Sequence, residues 1–332
     1  MVKFGIEFVP NDVYWKTVWY AIQAEDLGFD NLWITDHFNN RNVYTTLAVT
    51  ASFTERISLG PGVTNPYLIH PAVTAQAIAS LSEIAPGRVV CGIGAGDRTT
   101  LQYLNIYQKE PLAAIREAIA IIRALTSGTS LELKGKVFDL SKGAKLNFKA
   151  LNPIPIYIGA QGSKMLMLAG EIGDGVLINA SSPKDVEEAL LHVRAGALKS
   201  GRSLEDLDVA AYTSFSVAED GKQAKSAAIP VVAFIVAGCP SRVLEHHGLS
   251  PQDGDLIRSF LSQGKFKDAF SRVTDEMIEA FSISGTPEEC IEKMERLLRI
   301  GVTQFVVGSP IGRNVRRAIE IVGKEIIPRF KA

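Results

Sequence analysis

A repeated unit constrains this chain more than any other feature: a short β-like apolar run, a break into residues able to do chemistry, then an amphipathic helical pattern. Phe4–Ile6 gives way to Glu7, Leu32–Ile34 to Thr35-Asp36-His37, and Ile57–Val63 to Thr64-Asn65-Pro66. Val89–Ile93 ends in Gly94-Ala95-Gly96-Asp97-Arg98, and Ile154–Ile158 in Gly159-Ala160-Gln161-Gly162-Ser163. Strands that alternate with helices run parallel, so their ends gather on one face. Residues far apart in sequence converge there, as they do at the mouth of an active site.

The pattern predicts strands over Lys3–Val9, Asn31–Thr35, Ile57–Val63, Val89–Ile93, Ile154–Ile158, Gly175–Asn179, Asp208–Val217 and Gln304–Val307. Helices are expected over Trp15–Leu27, Thr45–Thr54, Pro71–Glu83, Pro111–Thr126, Ser163–Ile172, Pro183–Lys199 and Arg313–Lys324. Gly28 is a helix stop and Pro71 suits a first helical position. Leu131–Leu140 reads as a small hairpin turning at Lys134-Gly135-Lys136. Eight parallel strands fit a closed (β/α)8 TIM barrel better than an open sheet. Asp220 to Ile300 is too long for one crossover and reads as a helical insertion, about 220–300, between strands seven and eight. No Pro-, Ser- or Gly-rich linker divides the chain, so 1–332 is expected to be a single domain.

Composition narrows the function. Lys plus Arg number 35 against 36 Asp plus Glu, a net charge of −1, which supplies no basic field for a nucleic-acid backbone or an anionic lipid surface. No apolar run approaches the roughly 20 residues of a membrane helix. The first residues lack the regions of a signal peptide, so a cytoplasmic location is the expectation. Cys91, Cys239 and Cys290 are too scattered for a disulfide framework or a zinc knuckle, and no metal is expected.

Each strand end has a chemical and a structural reading. Glu7 is either a functional carboxylate or a salt-bridged residue at the barrel rim, since ionised carboxylates are rarely buried without a partner. In Thr35-Asp36-His37, Asp can fix the tautomer of a proton-exchanging His; capping and loop hydrogen bonds are the alternative. Glycines in Gly60-Pro61-Gly62-Val63 mark a bulge, a bend, or backbone close to a ligand. Gly92-Ile93-Gly94-Ala95-Gly96-Asp97 fails the dinucleotide fingerprint, because Asp97 stands where its last glycine belongs. Asp97 and Arg98 then serve either a ligand or each other as an ion pair. Gly159-Ala160-Gln161-Gly162-Ser163 is either an anion seat at a helix start or a tight turn with a Ser cap. Glu245-His246-His247 is expected to be solvated surface, because adjacent helical residues point apart.

Taken together, these segments resemble the bacterial-luciferase-like flavin and deazaflavin barrels, and within them the coenzyme F420-dependent methylenetetrahydromethanopterin reductases of methanogenic archaea. The resemblance runs from Phe4–Glu7 through Ile34–Phe38, Gly60–Tyr67, Gly94–Arg98, Tyr157–Ser163 and Gly173-Asp174-Gly175 to Ser284–Glu288. It implies a homodimer or homotetramer, and hydride transfer from reduced F420 to the methylene carbon of methylenetetrahydromethanopterin. It also implies a non-prolyl cis peptide at Gly62-Val63 behind the deazaflavin ring. Asp36, His37, Gly62, Val63, Thr64, Ala95 and Gly96 would touch the cofactor, and Gly159, Ala160, Gly162 and Ser163 its phosphate. His37 also matches a histidine that donates a proton in a sugar-phosphate dehydrogenase relative. Glu7 and Asp97 would be catalytic and would contact the pterin, with Arg98 nearby. Burial and repulsion from Asp97 would keep Glu7 protonated, as the acid that opens the methylene bridge. An FMN-dependent monooxygenase, another F420-dependent dehydrogenase and a non-catalytic flavin-binding barrel are the alternatives.

Overall fold

The computed structural model describes residues 2–331, which divide into two compact units. The first comprises Lys3–Ile178 and Glu188–Ala210; the second holds Asn179–Glu187 and the chain from Ala211 onward.

In the first unit, β1 (Lys3–Phe8), β2 (Asn31–Ile34), β3 (Ser58–Pro61), β4 (Cys91–Ile93), β7 (Ile156–Ala160) and β8 (Gly175–Ile178) are strands of the main sheet. Between them lie α1 (Tyr14–Asp26), α2 (Val43–Ala51), α3 (Pro71–Ile84), α4 (Arg98–Gln102), α5 (Pro111–Thr126) and α6 (Ser163–Ile172). The antiparallel hairpin β5 (Leu131–Lys134) and β6 (Asp139–Ala144) is a side excursion. The helices form for local reasons. Pro71 opens α3 while His70 accepts the Ala72 amide, and α5 starts at Pro111 and buries Ala114, Ile115, Ala118, Ile119 and Ile122 along one stripe.

Register aligns one row of residues across these strands. Glu7 pairs with Trp33, Trp33 with Gly60, Gly92 with Tyr157, and Tyr157 with Gly175. β3 meets β4 through bridges Leu59–Val89 and Thr64–Ile93, five residue steps against four, the count of a β-bulge. Phe8 faces α1, its ring 5.8 Å from Tyr20, so alternation turns Glu7 to the opposite face. On that inner face Trp33 meets Tyr157 ring to ring at 5.1 Å, although β2 and β7 are not neighbours. The Tyr157 hydroxyl donates to Asp208 Oδ2 at 2.8 Å, and Lys3 pairs with the same oxygen.

Strand β9 (Asp208–Val217) begins in the first unit, where the Asp208 amide donates to the Asp174 carbonyl at 3.1 Å, and runs on into the second. There the Thr213 hydroxyl donates to the Val306 carbonyl of β11 (Gln304–Ile311) at 3.0 Å. Between β9 and β11 the chain forms α8 (Gly221–Gly238), α9 (Ser241–His246), α10 (Pro251–Ser262), α11 (Phe266–Phe270) and α12 (Asp275–Phe281). These helices share a core of Ala228, Val232, Val236, Leu244, Ile257 and Phe281. Next come the short strand β10 (Ile283–Gly285), parallel to β9, and α13 (Pro287–Arg299). Three residues show no period, and β10 was invisible in the sequence.

β1, β2, β3, β4, β7, β8, β9 and β11 follow the (β/α)8 order, with α7 (Pro183–Lys199) after β8 and α14 (Val315–Ile321) after β11. Several expected boundaries move, among them the end of β3 at Pro61, the start of β4 at Cys91 and the end of β11 at Ile311. Gly159 and Ala160 belong to β7, because they pair with Leu177 and Ile178 of β8. The last helix gives way after Ile321 to a π-turn. No helix among the described residues is long and apolar enough to cross a membrane.

Candidate active site

Every residue proposed from sequence for the site lies in the first unit. The bulge after β3 is its centre. The Gly62 amide donates to the Ile34 carbonyl at 2.8 Å, the Thr64 amide to Gly92 at 3.0 Å, and the Gly94 amide returns to Thr64 at 2.9 Å. The Gly62-Val63 peptide between these ties is cis. A Cβ on Gly94 would sit 3.0 Å from a Val63 methyl, one on Gly159 3.1 Å, and one on Gly92 3.2 Å. β4 and β7 thus present bare backbone to Val63, whose methyls fill the space that side chains there would take.

Above this bulge the Thr64 hydroxyl donates to Asp36 Oδ2 at 2.7 Å. Burial pushes the Asp36 carboxyl above the usual carboxylate range, against the pull of Thr64 and of His37 beside it. The Tyr44 hydroxyl reaches both Thr64 and Thr74 at 3.4 Å, and burial raises its pKa, so it remains a phenol. Glu7 is 7% exposed at the end of β1, on the inner face with Trp33. His37 is half-buried, and its carbonyl accepts the Asn40 amide.

The loop after β4 is held by a residue that the sequence did not single out. Gln108 Nε2 donates to the Ala95 and Gly96 carbonyls, each at 2.8 Å. Asn65 Oδ1 accepts the Tyr67 and Leu68 amides, and the Tyr67 hydroxyl donates to the Lys109 carbonyl at 2.8 Å. Burial, with Glu110 nearby, pushes the Tyr67 phenol up to about 12. Gly96 has φ +81°, and a Cβ there would lie 3.0 Å from the Asn65 side chain. No motif spacing links Gln108 to the carbonyls it grips, so nothing in the sequence marks it.

Asp97 is exposed and caps α4. Its carboxylate accepts the Thr99 and Thr100 amides at 3.3 and 2.7 Å and the Thr100 hydroxyl as well, while Arg98 is the exposed first residue of that helix. At the end of β7 the structure departs from the Ser-cap reading. Gly162 is the N-cap of α6, no side chain caps it, and Ser163 is the exposed first helical residue. The first amides of this ten-residue helix have no side-chain cap, and the Met165 amide turns back to the Gly162 carbonyl at 3.0 Å.

Among the described residues no group of three His, Cys, Asp or Glu is placed to hold a metal. The expectation for Glu245-His246-His247 needs correction. Glu245 and His246 are exposed, but the His247 side chain is 6% exposed and bonds Asp185 at 2.9 Å, with its ring against Phe281. Phe281 belongs to the apolar core of the insertion, so the His247 ring is covered there.

Comparisons to known proteins place the chain in a family. The model of the family described as luciferase-like monooxygenase matches residues 9–304. The chain belongs to the luciferase-like monooxygenase family. Within it, the chain is 53% identical to the 5,10-methylenetetrahydromethanopterin reductase of Archaeoglobus fulgidus, across 99% of this chain and 100% of that one. The reductase of the same name from Methanolobus tindarius is 52% identical across 98% and 100%. The coenzyme F420-dependent tetrahydromethanopterin reductase structure from Methanopyrus kandleri superposes with a TM-score of 0.95 at 43% identity, covering 99% of both chains. The luciferase-like fold is therefore shared over nearly the whole length.

Proposed function

We propose that this protein is an F420-dependent oxidoreductase that reduces 5,10-methylenetetrahydromethanopterin to the methyl form, a step of methanogenesis and one-carbon metabolism. Full-length identity of 53% to a protein of that name carries the reading. The residues present fit the cofactor. Gly94 and Gly159 leave backbone where any side chain would meet Val63, and the α6 start is uncapped. Asp36, His37, Gly62, Val63, Thr64, Ala95 and Gly96 would hold its ring and side chain, and Gly159, Ala160, Gly162 and Ser163 its phosphate. When bound, reduced F420 supplies a hydride.

The chain's own residues supply alignment and a proton. Glu7, enclosed at the end of β1, donates to the departing nitrogen as the methylene bridge opens. The Asp97 carboxylate, held by its cap to α4, stabilises the resulting iminium cation, with Arg98 beside the substrate. Gln108 fixes the loop that carries Ala95, Gly96 and Asp97. Assembly as a homodimer or homotetramer in the cytoplasm belongs to the same reading and rests on the resemblance.

Anaerobic mixing with reduced F420 and methylenetetrahydromethanopterin tests it. Deazaflavin absorbance should return as the pterin is methylated. Absence of that signal, with turnover of an alcohol or sugar phosphate instead, would replace the substrate. Protein that purifies with FMN and consumes oxygen would replace the reaction.

A further inference from the structure

Thr35 is the residue after β2, and its amide donates to the Phe8 carbonyl at 3.1 Å, extending the β1–β2 ladder by one step. Ile34 pairs with Phe8 on the face turned to α1, so Thr35 faces inward with Trp33 and Glu7, one step nearer the mouth. Its side chain is among the buried polar groups, at 9% exposed. Its Oγ1 is enclosed and has no hydrogen-bond partner among the described residues.

Other enclosed threonines use their hydroxyls internally. Thr46, Thr50, Thr126 and Thr213 each donate to a backbone carbonyl, and Thr64 to Asp36. A strand-end residue has no carbonyl four positions back within reach, the route open to helical Thr50 and Thr126. A buried hydroxyl left unpaired is a standing desolvation penalty, and valine would fill the same space without it. A threonine at this position makes physical sense if something outside the chain completes the bond.

We propose that the Thr35 hydroxyl is a ligand-binding group of this site, hydrogen-bonded to the amide-like edge of the flat nitrogen heterocycle seated above Glu7 and Val63. Both the deazaflavin and the pterin carry such an edge, with ring N–H and carbonyl groups. The inference rests on the reading of the site given above, and separate measurements identify which ring is bound.

Thr35→Val removes the hydroxyl and keeps the shape, and Thr35→Ser keeps the hydroxyl. The first arm measures Kd for oxidised F420 by fluorescence titration, without turnover. The second measures KM and kcat for methylenetetrahydromethanopterin at saturating reduced F420. Thr35→Val should weaken one arm about tenfold, Thr35→Ser should restore most of it, and the ligand-free Tm of Thr35→Val should equal or exceed that of the wild type. A weakened first arm assigns the bond to the deazaflavin; a weakened second arm assigns it to the pterin. Thr35→Val with both arms within twofold of wild type overturns the proposal, as does a fall in ligand-free Tm that accounts for lost binding. Wild-type protein that binds F420 but does not reduce the pterin overturns the assigned reaction instead, and the first arm still decides the role of Thr35.

Discussion

Between β9 and β11, buried polar groups are saturated by the protein. Lys293, 4% exposed, donates to the carbonyls of Glu279 and Ser282 and pairs with the Glu279 carboxylate at 3.0 Å. His247 is closed off against Asp185 in the same way. At the strand ends of the first unit, Thr35 Oγ1 has no partner among the described residues, burial keeps the Asp36 carboxyl above its usual range, and α6 begins without a side-chain cap. Desolvation is unfavourable in both places. In the insertion it is offset internally, which fixes structure; at the mouth it is left for a ligand to offset. Buried polarity alone therefore does not mark function; Thr35 stands out because its enclosed hydroxyl lies at a strand end beside Asp36.

The sharpest way to break this contrast is Glu7→Gln. It should lower kcat by about 10³-fold, within the usual span for general acid catalysis, and leave the Kd for F420 within about threefold. Stopped-flow and fluorescence titration read the two quantities, and near-wild-type turnover would remove Glu7 from the chemistry. In the saturated region, Lys293→Met keeps length but strips the donors from two carbonyls. Urea unfolding should show a loss of about 2–3 kcal/mol, with kcat/KM per folded molecule unchanged. Lost activity at constant stability would move Lys293 to the functional side of the comparison.

Asp97 belongs to both categories, as a cap and as a mouth carboxylate. Asparagine caps as well as aspartate, so Asp97→Asn should hold stability within about 0.5 kcal/mol while kcat falls several-fold. Equal kcat would leave Asp97 a cap alone. The smallest effect concerns Glu25. Burial works against its carboxylate, but the amides of Ile57, Arg56 and Glu55 outweigh burial and hold its pKa below the ordinary 4.5. Its stabilising contribution is then present above that value and lost as pH falls through the lower folded value. The Tm gap between wild type and Glu25→Gln should narrow in that acid window. A gap that widens there would reverse the sign. Asp36, raised by burial, has the opposite linkage, its contribution fading as pH rises through the folded value.

The strand ends were legible because apolar runs with polar breaks are forced by one-sided chemistry on parallel strands. α5, α6 and α7 begin and end at the residues expected of them, α5 and α7 on a proline, although no side chain caps α5 or α6. The cis peptide at Gly62-Val63 was expected only by resemblance. Gln108 and Tyr44 escaped notice because their partners lie far away in sequence, and no local pattern encodes a grip on a distant carbonyl. His247 was misread because adjacency on a helix says nothing about which neighbour will cover it. Thr35 stood in a motif already noted, but only three-dimensional structure shows that its hydroxyl has no partner among the described residues.

The seam between β3 and β4 carries one more implication. A Cβ on Gly60 would lie 2.0 Å from the Val90 carbonyl oxygen, and one on Gly92 2.4 Å from that of Pro61. Any side chain at either position must pry the two backbones apart beside the bulge. Such sites admit no gradual change: even alanine, the smallest step in chemistry, is a large one in geometry. Room for a new side chain is therefore found in the loops that rise from the seam and not at Gly60 or Gly92 themselves.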